Sequence, residues 1–421
     1  MQTGSISHTA PAARLYRGWL VVAAAFLVGM FGFGLGFYGP GIYLFALKAR
    51  HGWSTETVSS AITVYYVLGA GLLFSVVGPL FDRWGARLVV TAGTVAMGLG
   101  AVLLTLVSRP WQVYGAFGVM AFGWAAMSGA AINIIVAPWF EKRRGLALSW
   151  AMNGASAGGV VIAPLLVLAI SRYGFANALD AAVAVMLAVL VPVAILALRP
   201  KRPDEHDLAD LATGLATPGR LAESSPDLRL GSIFRSRDFM TISMAFALAL
   251  TAQVGFLTHQ VAFLSSTIGA IAAGWAVSLT TFAAVIGRLA TGFVVDRFDR
   301  RSITALNFAV QALGLGLLAT GAQPAMLYLG CVLFGAGVGN ASSLPGLIVQ
   351  QEFPKQHFAR IISIVVAVNQ FSFAFGPTLV ARLQQGNPTY TGALVMCLAM
   401  ELAAAGIVLA PSLVRRLSAP P

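Results

Sequence analysis

The chain has 421 residues, 58% of them hydrophobic and only 10% charged, with a net charge of +12 and a mean hydropathy of +0.81. That excludes a soluble globule, whose residues are about 25% charged, and makes lipid the main solvent. It also excludes a nucleic-acid surface, because the basic residues are scattered in short loops between long apolar runs.

A bilayer core needs about 20 apolar residues per helix. The first run, 18–47, carries Tyr38 and is predicted to be a membrane helix. It is too long for a cleaved signal core of about 7–15 residues. Runs follow at 56–81 with Tyr66, 88–108, 111–139 with Trp124, 145–171 with Asn153, and 176–198 with Asp180 near its start. The segment 199–237 is Pro-punctuated and too charged for lipid, and is predicted to link two halves. Further runs lie at 239–267 with His259, 271–295 with Arg288, 302–321, 324–350, 360–383 with Asn369 and Gln370, and 390–411 with Glu401. Gly158, Gly159, Gly376 and Pro377 fall inside runs, where membrane helices tolerate them and use them for bending and close packing. The prediction is an all-α membrane protein of twelve transmembrane helices in two six-helix bundles, 1–198 and 238–421, about a linker 199–237. Cys331 and Cys397 lie inside apolar runs, so no disulfide framework, metal site or cofactor is expected.

The segment Gly78-Pro79-Leu80-Phe81-Asp82-Arg83-Trp84-Gly85-Ala86-Arg87 recurs 214 residues later as Gly292-Phe293-Val294-Val295-Asp296-Arg297-Phe298-Asp299-Arg300-Arg301. In both copies Asp-Arg follows glycine by four residues, where an apolar run ends. The chain is therefore two copies of one unit. Positive charge sets orientation: 21 of the 27 Lys and Arg fall on the side of the termini and linker, and 5 on the other. That predicts both termini and the linker in the cytoplasm. Arg outnumbers Lys and Ala and Gly abound, which points to a bacterial inner membrane.

Arg288 is the remaining base. It lies eight residues before Asp296, about 12 Å inside the helix end at 1.5 Å per residue. Its neighbours at three and four residues, Ala284, Val285, Thr291 and Gly292, include no acid. A buried guanidinium needs a partner, and its fork matches two carboxylate oxygens. A structural pair with an acid or carbonyl on another helix is the bland alternative.

The repeated glycine–Asp-Arg spacing is similar to the loop between the second and third helices of each half in the major facilitator superfamily of secondary transporters. Gly287-Arg288-Leu289-Ala290-Thr291-Gly292, Tyr16-Arg17-Gly18-Trp19 and Trp139-Phe140-Glu141-Lys142-Arg143-Arg144-Gly145 further resemble its monocarboxylate and oxalate–formate carriers. The resemblance implies a carboxylate site at Arg288 and a latch made by Gly78, Asp82, Arg83, Arg87, Gly292, Asp296 and Arg297. It also implies a central cavity flanked by the fifth and eleventh helices, hence by Asn153, Asn369 and Gln370, with Tyr38, Tyr66 and Trp124 as candidate walls. The chain departs from those carriers. Asn369 and Gln370 stand where the oxalate carriers have a lysine, and Ala284 where animal monocarboxylate carriers have an acid. A single central cation argues for a monoanion.

An arginine cannot release a coupling proton. Asp180, Glu401 and His259 are the candidates, although both acids fall on helices that are outer scaffold in the superfamily. The expected function is a secondary active transporter of small organic anions by alternating access, through proton symport or anion exchange. Its expected partners are that anion, the bilayer and protons, with the chain acting as a monomer and binding no nucleic acid. A multidrug or other metabolite exporter is the alternative. Export of cationic drugs needs an acid in the central helices, and their interiors have none. A transporter-like sensor would need a signalling domain, and an enzyme a nucleophile–base pair, a phosphate loop or a metal cluster.

Overall fold

A computed structural model describes residues 16–140, 143–200, 235–295, 297–321, 323–341, 343–354, 358–385 and 389–417. Most of the expected linker and the latch residue Asp296 lie outside the described residues.

The described residues form helices only. Ten runs are long and apolar enough to cross a membrane. One of them, Thr55–Leu106, is two passes, because Gly85 interrupts it with φ 75, ψ 167. Only glycine adopts that conformation without strain, so the repeated motif makes its tight turn there. A further pass is split into Pro324–Val338 and Leu344–Glu352. Twelve passes result. α1 is Arg17–His51; α2 and α3 are the limbs of Thr55–Leu106; α4 is Pro110–Trp139, α5 Gly145–Tyr173 and α6 Phe175–Ala197. α7 is Arg237–Ile268, α8 Ala270–Val294 and α9 Arg300–Thr320; α10 is the split pass, α11 Ile361–Gln384 and α12 Thr391–Pro411. Ser54 Oγ accepts the Thr57 N–H at 3.1 Å and Asp299 Oδ2 the Ser302 N–H at 2.9 Å, capping α2 and α9.

The two halves repeat in their irregularities as well as in their helices. α4 breaks at Ser128 (ψ 170), and α10 breaks between Val338 and Leu344, around the residue 214 further on. α5 widens into a π-helix at Gly158–Ile162, and α11 breaks between Phe373 and Gly376 at the matching place. The Gly and Pro expected to bend α5 and α11 sit at these points. The break in α10 interrupts a run that the sequence predicts as continuous.

α6 ends and α7 begins on one side of the molecule, here the linker face; the opposite side is the far face. The bundles meet through the far halves of their helices: α1 against α7, α5 against α8, and α2 against α11. The apolar core of the first half continues across this seam to Val254, Val261, Val277 and Phe373. The cleft between the bundles is therefore closed at the far face and opens toward the linker face.

Candidate functional site

The site starts from a helix that cannot stay regular. α1 contains the π-helical turn Gly34–Tyr38, and such a turn leaves backbone carbonyls short of partners. Three tyrosine hydroxyls supply them. Tyr43 donates to Leu35 O at 3.0 Å, Tyr65 to Gly36 O at 2.8 Å and Tyr66 to Phe37 O at 3.2 Å. Trp124 stacks on Phe37, with ring centroids 6.0 Å apart and planes at 22°, and meets Phe33 edge-on. Tyr66 and Trp124 are buried, and the Tyr66 hydroxyl is spent on the backbone. They back the α1 turn instead of presenting free polar groups to the cleft.

This bracing fixes Tyr38. Its ring reaches α8, where its hydroxyl lies near Thr281 and within electrostatic reach of Arg288. The Thr281 hydroxyl donates to Val277 O at 2.9 Å, which leaves its oxygen as an acceptor on the side of Tyr38. Gly159 closes the third side. A Cβ there would lie 2.5 Å from Thr281 Cγ2 and 2.7 Å from Tyr38 Cε2, so only glycine allows the approach.

Arg288 is partly buried, and its Nε donates to Gly339 O at 2.9 Å. That carbonyl is available because α10 ends at Val338. Asn340 holds the break open, its Nδ2 donating to Thr291 Oγ1 at 2.9 Å and to Asn307 Oδ1 at 2.8 Å. Nη1 and Nη2 of Arg288 make no hydrogen bond among the described residues and are not sealed from solvent. Among the described residues no carboxylate lies within 4.0 Å of them. The structure thus leaves the two-pronged end of a guanidinium without a hydrogen-bond partner among the described residues, a geometry that matches the two oxygens of a carboxylate. The sequence marks the arginine, but the helix break that aims it is not visible there.

Arg288 is not the only buried base. Arg301, expected in a loop, is 1% exposed. α9 starts at Arg300, which turns Arg301 inward. Its Nε and Nη2 each lie 2.6 Å from a Glu352 carboxylate oxygen, and Nη2 is also 3.4 Å from Asp238. Sequence reasoning missed it because Asp238 and Glu352 are distant in the chain. The buried arginine with acids is structural; the one without them is the candidate site.

The other candidates are dispersed. Asn153 is half-buried on α5. On α11, Asn369 Oδ1 and Gln370 Oε1 are buried without a partner. Asp180 is exposed near the far end of α6. Glu401 is fully buried in α12, with neither oxygen hydrogen-bonded. His259 is buried in the closed seam. Gly78 is half-buried, and Asp82, Arg83, Arg87, Gly292 and Arg297 are exposed.

Twelve passes in two matched bundles that meet along one seam define the architecture of a membrane carrier. A profile of the Major Facilitator Superfamily matches residues 24–377 and 261–417, and the chain belongs to that family of multi-pass transporters. Monocarboxylate transporter 11 of Mus musculus is 30% identical over 314 residues, 73% of this chain and 66% of the mouse protein. MFS transporter asaE of Aspergillus flavus is 25% identical over 387 residues, 89% of this chain and 81% of that one. Among solved structures, the nucleoside transporter NupG superposes with a TM-score of 0.72 at 15% identity, covering 94% of this chain and 99% of its own.

Proposed function

We propose that this transporter carries small organic monoanions, with Arg288 as the carboxylate receptor. The observation that carries the reading is the Nη1/Nη2 fork of a partly buried arginine that, among the described residues, has no hydrogen-bond partner and no acid beside it. A single fixed cation balances one negative charge; a dianion would leave the second desolvated at a cost of several kcal/mol. The similarity to a monocarboxylate transporter supports the same class. Tyr38 and Thr281 flank the anion from either side of the seam, and the bundles rock about that point by alternating access. The halves 1–198 and 238–421 are the moving bodies, joined by the linker 199–237. We place the linker face in the cytoplasm of a bacterial inner membrane, on the positive charge it carries, so the structure is the inward-open state.

A second reading, export of larger metabolites, draws on relatives such as the fujikurins efflux protein of Gibberella fujikuroi, 26% identical over 83% of this chain. Uptake of radiolabelled monocarboxylates into proteoliposomes, with and without a pH gradient, separates these readings. Saturable accumulation of a small monocarboxylate is expected. Transport of none, with movement of larger neutral or cationic compounds, would favour the exporter.

A further inference from the structure

On the far side of the seam, His259 of α7 is 1% exposed and joins the two bundles. Its Nε2 lies 3.0 Å from Pro377 O of α11 and 3.3 Å from Ser59 Oγ of α2 in the other half. A carbonyl only accepts, so Nε2 carries the hydrogen, and Nδ1 is left as a bare acceptor. Nδ1 is buried with no partner.

Beyond the Pro377 carbonyl on Nε2, the neighbouring groups give a charged imidazole no partner. Lys48, on α1, is positive, and its Nζ donates to Thr55 Oγ1 at 2.9 Å; its charge reaches His259 and opposes a second cation. The seam's acid, Glu56 of α2, is engaged by Arg382 of α11 at 3.3 Å. The Tyr390 ring lies 5.8 Å from the imidazole, and burial pushes its phenol up to about 12, so it stays neutral. Cys397 of α12 lines the same small apolar cavity as His259. Glu401, one turn further along α12, is sealed in the second bundle with no hydrogen bond to either oxygen. The far half of α8, Ala270 to Thr281, has no charged side chain.

We propose that His259 is a proton-binding site that opens the far-face seam. It rests on the alternating-access reading and gives that cycle an external signal. The closed seam holds the imidazole neutral, because a proton added at Nδ1 would be a buried donor without an acceptor. When the seam parts, water reaches Nδ1 and the ring can accept the proton. Acid on the far side, below the ordinary imidazole value of about 6.5, therefore draws the protein toward the far-open state. Closure expels the proton to the side it came from. The inference differs from substrate recognition, since Arg288 lies on the other side of the Tyr38–Thr281 contact and takes no part.

The test is a distance between the far ends of the two bundles. Spin labels are placed at Ser108→Cys and Gln323→Cys, both exposed and one in each half, in a Cys331→Ala/Cys397→Ala background. No substrate is added. In the otherwise unchanged protein, lowering the pH from about 7.5 to about 5.5 should move population from the short to the long distance. The closed-to-open ratio falls by up to about tenfold per pH unit below the imidazole value. His259→Gln should give the same ratio at both pH values. Ser59→Ala, which loosens the seam without removing the titrating group, should lengthen the distance at both and retain the pH response. A pH-independent distance in the protein with His259 intact would overturn the proposal even if no His259 variant folds. So would a pH response that survives in His259→Gln. Loss of anion binding on changing Arg288 leaves this readout unaffected, so the two readings fail separately.

Discussion

Among the described residues, Arg301 is fully buried and Arg288 partly so, and their surroundings differ. Arg301 is clamped by Glu352 and Asp238. Removing it takes a buried charged partner away from two acids, and Arg301→Ala should destabilise the protein by about 3–5 kcal/mol, seen as a lower Tm with no change in ligand specificity. Arg288 has a carbonyl on Nε and, among the described residues, no hydrogen-bond partner on its terminal nitrogens. Arg288→Lys keeps the charge but loses the fork. It should weaken monocarboxylate binding by roughly tenfold to a hundredfold, the equivalent of one charged hydrogen bond of about 1.5–3 kcal/mol, measurable by calorimetry. The sequence separates the two residues only in part. Arg288 is conspicuous because its own helical face has no acid. Arg301 looks like a topology signal until the fold brings in partners from 51 and 63 residues away.

At the scale of the helix, the site depends on places where the backbone departs from a regular α-helix. The π-helical turn of α1 is held by three tyrosines, and the break in α10 gives Arg288 its carbonyl. Gly159 lets α5 lie against both Tyr38 and Thr281. Gly159→Ala should push α5 from α8, weaken the closed far face and raise maleimide labelling of a Thr63→Cys probe, since Thr63 now bonds Thr378 across the seam at 2.7 Å. Unchanged labelling would mean that the contact does not support closure. Glycine and proline mark the bends of α5 and α11 in the sequence. The α10 break falls at Gly339-Asn340-Ala341-Ser342-Ser343, small and mostly polar residues inside an otherwise apolar run, and what holds it open is a side-chain network from Asn340 to Thr291 and Asn307 that the sequence does not show. The same limit applies to Tyr66 and Trp124. Their chemistry suits a cavity wall, but the fold uses them as backing.

For the whole molecule, composition, the twelve apolar runs and the internal repeat reveal the architecture, because lipid forces each pass to be a long apolar helix. Which conformation the chain adopts is not written in that pattern. Asp82, Arg83 and Arg87 are exposed, as a disengaged latch would be when the cleft opens toward the linker face. Asp82→Asn should leave the fold intact and raise linker-face cysteine accessibility above the unmodified protein; equal accessibility would reduce the motif to a turn. Alkaline phosphatase fused after Arg220 should be inactive if the linker is cytoplasmic, and an active fusion would invert the orientation. The central claim is that a small carboxylate binds at Arg288. Its most direct test is the Tm of purified protein against a panel of monocarboxylates. A ligand at 100 times its Kd should stabilise the unmodified protein by about 2.7 kcal/mol and leave the Tm of Arg288→Ala unmoved. A full ligand-induced rise in Arg288→Ala would contradict the claim.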